Sequence, residues 1–364
     1  MLRIKFKSAM LVFFGAFTML VLDRVLLNGL LWRTHTTARI ANPGGVADQD
    51  SGTVDVTKTG TPFHQLPNAE SVHMNLKETK KVQWNAKSLS INSDKAKIVQ
   101  WDRDRWVNVQ KVCDGNYSFE KATLRTSFGR TPIFIHDIKD DMHVSGHLKR
   151  YGMWDTKNVN AVVEQLKRDP DLGLLDLGAQ LGTHTLVASL LGRNVVAVDP
   201  LQSNVLRLCK SLEAGKFTNN VTVVFNAISD DYRKISFVLD KGNLGGTRIT
   251  SSGTKLNDSK SDSADSLYTV LLDDLLPLVT FKKAVMKLDV ETHELQVIKG
   301  GTQFFKQIDV TSILMEWMFH KNDEGQQLKV LVMNLGFKPF DPQTHKMCND
   351  NHKTWPDDVM WLKQ

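Results

Sequence analysis

Two groups of residues in this 364-residue chain have types and spacings suited to chemistry. The first is Leu174-Leu-Asp-Leu-Gly-Ala-Gln-Leu-Gly182, followed by Val195-Val-Ala-Val-Asp199. Apolar residues up to Asp176 read as a buried strand. Gly178 and Gly182 then bracket a turn, and an apolar helix-like run reaches Leu191. The next apolar strand ends in Asp199, at the offset of about 20 residues expected of a ribose-binding carboxylate. Backbone N–H groups at such a helix start suit a ligand's negative group. The second group is Lys287-Leu-Asp-Val-Glu291, at the end of an apolar run from Ala284. Strand period two puts Lys287, Asp289 and Glu291 on one face. Three charges there are expensive unless paired or used. In an open α/β sheet, ligands bind beyond the carboxyl ends of the strands, where these residues would sit. Glu316-Trp317 closes a neighbouring apolar run and offers the same rim another carboxylate.

The glycine turn reads Asp-x-Gly-Ala-x-x-Gly and lacks the Gly-x-Gly start that brings a dinucleotide pyrophosphate close to a helix. This disfavours a nicotinamide oxidoreductase, which stays as an alternative. A looser turn suits S-adenosylmethionine, which presents an amino-acid end and no phosphate. Gly178, Ala179 and Gly182 would make room for that end, Asp176 would attract its ammonium, and Asp199 would take the ribose hydroxyls. The same glycines serve equally well for strand–helix packing with no ligand at all. His184 and His293 lie near the site in sequence, but such histidines are more often packing or surface residues. A metal held by Asp289, Glu291 and Glu316 is conceivable, yet no recognised ligand spacing supports one, and none is assigned.

The elements that must position these groups alternate strand and helix. Strands are expected at 98–101, 132–137, 174–176, 195–199, 221–226, 234–239, 268–272, 284–291, 312–317 and 359–362. Helices are expected at 144–151, 158–168, from about 203 to 214, 294–299 and 326–334, with Gly152, Gly300 and Gly336 as stops. Residues 242–266, rich in Gly, Ser, Asp and Lys, read as a mobile surface loop. The pattern predicts an α/β protein with a doubly wound, mostly parallel sheet. The expected division is 1–32 cytosolic tip and membrane helix, 33–83 flexible stem, 84–168 N-terminal cap region and 169–364 ligand-binding domain.

Taken in order, several blocks resemble the FkbM-type family of S-adenosylmethionine-dependent methyltransferases, over roughly Thr131 to Leu362. They are Leu175-Asp-Leu-Gly-Ala-Gln-Leu-Gly182, Val195-Val-Ala-Val-Asp-Pro200, Asn226-Ala-Ile-Ser229, Thr269-Val-Leu-Leu-Asp-Asp274, the stretch Met286 to Gly300, and Glu316-Trp317. Tyr151-Gly-Met-Trp154 is similar to the segment this family carries before its first strand. The resemblance implies a Rossmann-like methyltransferase fold, O-methylation of a hydroxyl on a glycan or other acceptor, and Asn226 and Ala227 as further cofactor contacts. Asp289, Glu291 and Lys287 become the candidate catalytic residues, as base, acceptor-positioning group and oxyanion partner in an order the sequence does not separate. Thr292 stands where the family usually has glycine. A side chain there would obstruct a positive φ, so a binding protein that has lost activity is a second alternative.

Arg3, Lys5 and Lys7 precede the uncharged run Ala9–Leu22, which is extended through Asp23-Arg24 to Trp32. This pattern predicts an uncleaved signal anchor with the bulk of the chain in the endoplasmic reticulum or Golgi lumen; a secreted protein is the alternative. A net charge of +6 suits an anionic membrane or glycan. With no basic stripe interleaved with aromatics, nucleic-acid binding is excluded from the reading. Cys113 and Cys348, in polar segments, are the expected disulfide, and Cys209 reads as a buried thiol. Sequons at Asn116, Asn220 and Asn257 accord with lumenal exposure. The oligomeric state is not legible.

Overall fold

A computed structural model describes residues 94–238, 248–255 and 267–364, all within one compact unit, Lys77–Gln364. In chain order the first elements are β1 (Lys97–Trp101), β2 (Trp106–Asn108), a 3-10 turn (Gln110–Cys113), β3 (Glu120–Thr126) and β4 (Gly129–Ile135). They lead into α1 (Val144–Tyr151), α2 (Thr156–Leu166), β5 (Leu172–Leu177), α3 (Thr183–Leu190), β6 (Val195–Val198), α4 (Gln202–Gly215) and β7 (Val221–Val224). Next are β8 (Ala227–Ser229), β9 (Arg233–Val238), β10 (Arg248–Lys255), β11 (Thr269–Leu271) and β12 (Lys283–Leu288). The chain ends with α5 (Glu294–Lys299), α6 (Phe304–Gln307), β13 (Asp309–Glu316), α7 (Asp323–Asn334), β14 (Phe337–Phe340) and β15 (Asp358–Lys363).

Nine strands form one sheet in the order β14-β15-β13-β12-β5-β6-β7-β1-β2. All neighbours from β13 to β1 are parallel, whereas β15 and β2 run antiparallel to their neighbours. The winding direction reverses between β5 and β12, and that switch point is where an open sheet leaves a crevice. Both faces are covered, which explains why the central strands read as unbroken apolar runs. Alternation sends Leu174, Val195, Val223 and Val285 into the core under α1 to α4, and Leu175, Val196, Val224 and Met286 into the opposite core. The second core centres on Trp317, Trp355 and Trp361, whose ring centroids lie 4.9–5.6 Å apart.

Several expectations need correcting. The segment 242–266 is not all loop: Arg248–Lys255 pairs antiparallel with β9. Its Ser/Thr-rich sequence lacks a core-facing alternation, so only the pairing reveals the strand. The strand expected through Glu291 stops at Leu288. The disulfide joins Cys113 to Cys209, with Cα atoms 6.4 Å apart, and leaves Cys348 free. The reason is layering: Cys113 and Cys209 share the core beneath α4, whereas Cys348 packs on the opposite core. Among the described residues no helix is long and apolar enough to cross a membrane. The anchor and stem expectations fall on 1–83 and lie outside the described residues.

Candidate active site

The carboxyl ends of β5, β6 and β12 converge at the switch point. Gly178 and Gly182 adopt φ of 80° and 84°. A Cβ on Gly178 would lie 1.8 Å from the Asp289 carbonyl oxygen, and one on Gly182 would strike Leu208. Both glycines are therefore required by packing, whether or not a ligand is present. Gly178 and Ala179 donate their N–H groups to the Val198 carbonyl at 2.9 Å each, and Gln180 donates to Asp199 Oδ2 at 2.7 Å. These three N–H groups are used inside the protein.

Asp176 is 1% exposed. Its Oδ2 accepts from the Thr185 hydroxyl at 2.6 Å, while Oδ1 has no hydrogen-bond partner among the described residues. Asp199 is also buried, and its Oδ1 accepts from the Leu201 N–H at 2.9 Å and Asn204 Nδ2 at 3.2 Å. Burial pushes its pKa up to about 6 against the pull of those three donors. Through its bonds to Leu201 and Asn204, Asp199 organises the start of α4. Asn226, fully buried, accepts from the Trp101 N–H at 2.8 Å and donates to the Tyr268 carbonyl at 3.0 Å. Its amide fastens three strand ends together, with Ala227 buried directly after it.

Lys287 and Asp176 are register partners on the α2/α3 side of the sheet. Lys287 Nζ donates to the Gly178 carbonyl at 2.7 Å and lies 3.2 Å from Asp289 Oδ2. Burial opposes its charge, but Asp289, Asp176 and Asp155 outweigh burial and hold its pKa above the usual lysine value. Asp289 is more open, with its side chain 38% exposed. Glu291 (φ 55°) and Thr292 (φ 79°) form a left-handed turn beyond the strand, so alternation no longer governs where Glu291 points. Thr292 adopts the positive φ that its branched side chain disfavours.

Sequence reasoning missed three residues of this rim, Asp155, Glu294 and Asp358, and found a fourth, Glu316. Asp155, itself at φ 51°, places its carboxylate 3.8 Å from His184 Nε2 and acts on Lys287 and Asp358. Glu294 is fully buried, accepting from the Val290 N–H at 2.8 Å and pairing with His320 Nε2 at 2.8 Å. Asp358 opposes Glu316 across the β13–β15 pair. Burial, with help from Asp155 and Asp289, raises its pKa to about 6, although a bond from Asn158 pulls it down. Burial followed by Asp289, Glu291, Glu294 and Asp358 pushes Glu316 up to about 9, so this carboxyl is protonated at neutral pH. Ligand atoms of Asp289, Glu294 and Glu316 lie within 4.8 Å of one another, a spacing that a divalent cation could bridge, with Glu294 where Glu291 was considered. Both Glu294 oxygens already have partners. Only Glu316 carried a signal in the sequence; Asp155 and Asp358 come from distant segments.

A doubly wound, mostly parallel sheet with a glycine turn and terminal acids at its switch point defines a methyltransferase-like α/β protein. Residues 176–349 match the family described as Methyltransferase FkbM domain. Among solved structures, similarity extends to a precorrin-6y C5,15-methyltransferase from Geobacter metallireducens (11% identity, 57% of this chain and 87% of that one, TM-score 0.31). It also extends to an S-adenosylmethionine-dependent O-methyltransferase from Thermotoga maritima (12%, 66% and 77%, TM-score 0.32). A third is a 16S rRNA methyltransferase from T. thermophilus (14%, 69% and 52%, TM-score 0.34). No curated protein matches the chain.

Proposed function

We propose that this protein is an S-adenosylmethionine-dependent O-methyltransferase acting on a hydroxyl of a glycan or other hydroxylated acceptor in the secretory pathway. The observation that carries the reading is Asp176 Oδ1, a buried carboxylate oxygen beside the glycine turn with no hydrogen-bond partner among the described residues. Lys287 on the neighbouring strand turns its ammonium to Gly178 and Asp289, so this buried oxygen is left for another donor, and the cofactor's ammonium supplies one. Asp199 retains acceptor capacity beyond its three donors and would hold the ribose.

The cofactor would supply an activated methyl group on its sulfonium. The chain's task is to bring the acceptor oxygen into line and take its proton. Lys287 stays protonated, so it is a hydrogen-bond donor and not the base. Glu316, protonated at neutral pH, is a donor as well. Asp289 is the half-exposed carboxylate at the rim and is assigned as the base, oriented by Lys287. Glu291, on the strained turn, is assigned to acceptor positioning.

Two observations bear on the alternatives. Thr292 reaches the positive φ despite its side chain, so the turn is preserved and this departure from the family gives little support to an inactive binding protein. The Cys113–Cys209 disulfide accords with an oxidising compartment, and Asn116 is exposed as a glycan acceptor must be. Incubating the full-length protein with methyl-labelled S-adenosylmethionine and a panel of glycans and small alcohols tests the reading. Labelled acceptor is the expected result. Cofactor binding with no turnover on any acceptor would favour the binding protein, and binding of a nicotinamide cofactor alone would favour the oxidoreductase.

A further inference from the structure

We propose that Trp101, on a strand outside the family-matched segment, forms the adenine-side wall of the cofactor site; this rests on the S-adenosylmethionine reading above. The carboxyl edge of the sheet runs β12, β5, β6, β7, β1. A ligand held by its amino-acid end at Asp176, after β5, and by its ribose at Asp199, after β6, extends in one direction. Its base continues over β7 and β1. With neighbouring strands about 4.8 Å apart, the end of β1 lies about 10 Å beyond that of β6, within the span of a nucleoside.

Trp101 is the last residue of β1 and is fastened to that edge. Its N–H donates to the Asn226 side chain at 2.8 Å, and the other end of the same amide holds the Tyr268 carbonyl. The backbone is thus fixed, and the indole is part-exposed and packed edge-on against Trp106 with centroids 5.3 Å apart. The indole Nε1 is buried and has no hydrogen-bond partner among the described residues. An indole N–H can only donate, and the ring nitrogens of a purine only accept. The neighbouring aromatic is already engaged: the Arg103 guanidinium sits 4.5 Å from the Tyr268 ring centroid and donates to its hydroxyl. Trp101 is therefore the side chain at this edge with both an aromatic surface and a donor to offer a base. Stacking on such a ring is tolerant of base identity, while the N–H adds a directional contact.

The test is calorimetric titration of the full-length protein and its variants with S-adenosylhomocysteine and with adenosine. Trp101→Ala should weaken both ligands about 10-fold or more. Trp101→Phe keeps a ring and loses the N–H, so it should fall between the two, with a melting temperature close to that of the parent. Ligand-induced quenching of indole fluorescence should be strong in the parent and reduced in Trp101→Phe. Parent-like affinity and quenching in a folded Trp101→Phe, together with parent-like affinity in Trp101→Ala, would overturn the assignment while leaving the cofactor reading intact. Failure of the parent itself to bind either ligand would overturn the cofactor reading and this assignment together.

Discussion

The two halves of the proposed site are built differently. On the cofactor side, Asp176, Gly178, Ala179 and Asp199 lie in or next to buried strands, and nearly every polar group has an internal partner. On the acceptor side, Asp155, Asp289, Glu291, Glu316 and Asp358 are only partly buried. They crowd like charges around a single lysine, and Asp155, Glu291 and Thr292 are held in left-handed backbone. Preorganisation of the first half needs little beyond good packing. The second half stores repulsion and backbone strain, which folded proteins keep where function uses it. The first side should therefore respond to mutation by losing affinity or stability, and the second by changing its pH dependence or turnover.

Asp176→Asn offers the sharpest break in this contrast. It keeps the shape and the Thr185 contact but removes the charge, so S-adenosylmethionine binding should weaken about 10- to 100-fold by calorimetry. Unchanged affinity would remove Asp176 from the cofactor site. Reducing the disulfide, or replacing Cys113 by Ser, should cost about 2–4 kcal/mol in a denaturant titration. Peptide mapping should find Cys113 joined to Cys209 and Cys348 free.

Asp199→Ala strips an acceptor from Gln180, Leu201 and Asn204 at once. It should destabilise the fold by about 2–3 kcal/mol as well as weaken cofactor binding. A variant of normal stability would mean that those three bonds matter little. A pH effect of different character comes mainly from the acceptor side, with Asp199 adding to it. Glu316, Asp199 and Asp358 have raised pKa values, so the folded chain retains protons that the unfolded chain releases. Their contribution to stability is greatest at low pH and is lost as pH rises, between 3.8 and about 6 for the two aspartates and between 4.5 and about 9 for Glu316. Glu316→Gln should flatten the decline in melting temperature between pH 6 and pH 9, and an unchanged profile would count against a buried, protonated Glu316. The smallest expected effect is that of Thr292→Gly, which relieves a branched residue at positive φ and should stabilise the chain by about 1 kcal/mol.

Much of the cofactor side was legible in the sequence because its pieces are local. The strand, the turn and the helix that follows span residues 172–190, and each is written in apolar runs and glycines. Helices Val144–Tyr151 and Glu294–Lys299 fell where periodicity put them. The acceptor side was less legible. Extending strand alternation past Leu288 put Glu291 on a face it does not occupy by strand geometry, because the left-handed turn is set by contacts around Val290, Glu294 and His320. The disulfide was misassigned because polarity along the chain does not reveal which face of a sheet a cysteine packs against.

By itself, then, the sequence determined the α/β class, the strand-turn-helix that places Asp176 and Asp199, and the Lys287–Asp289 pair one strand over. These follow from apolar periodicity and backbone conformational limits acting over a few residues. Tertiary structure alone decided that Asp155 and Asp358 join the rim, that Glu316 is pressed into holding its proton, that Cys209 is the partner of Cys113, and that Trp101 stands at the far end of the carboxyl edge. Each of those depends on strand order and on the sharing of low-dielectric space between segments far apart in the chain, which no local pattern records.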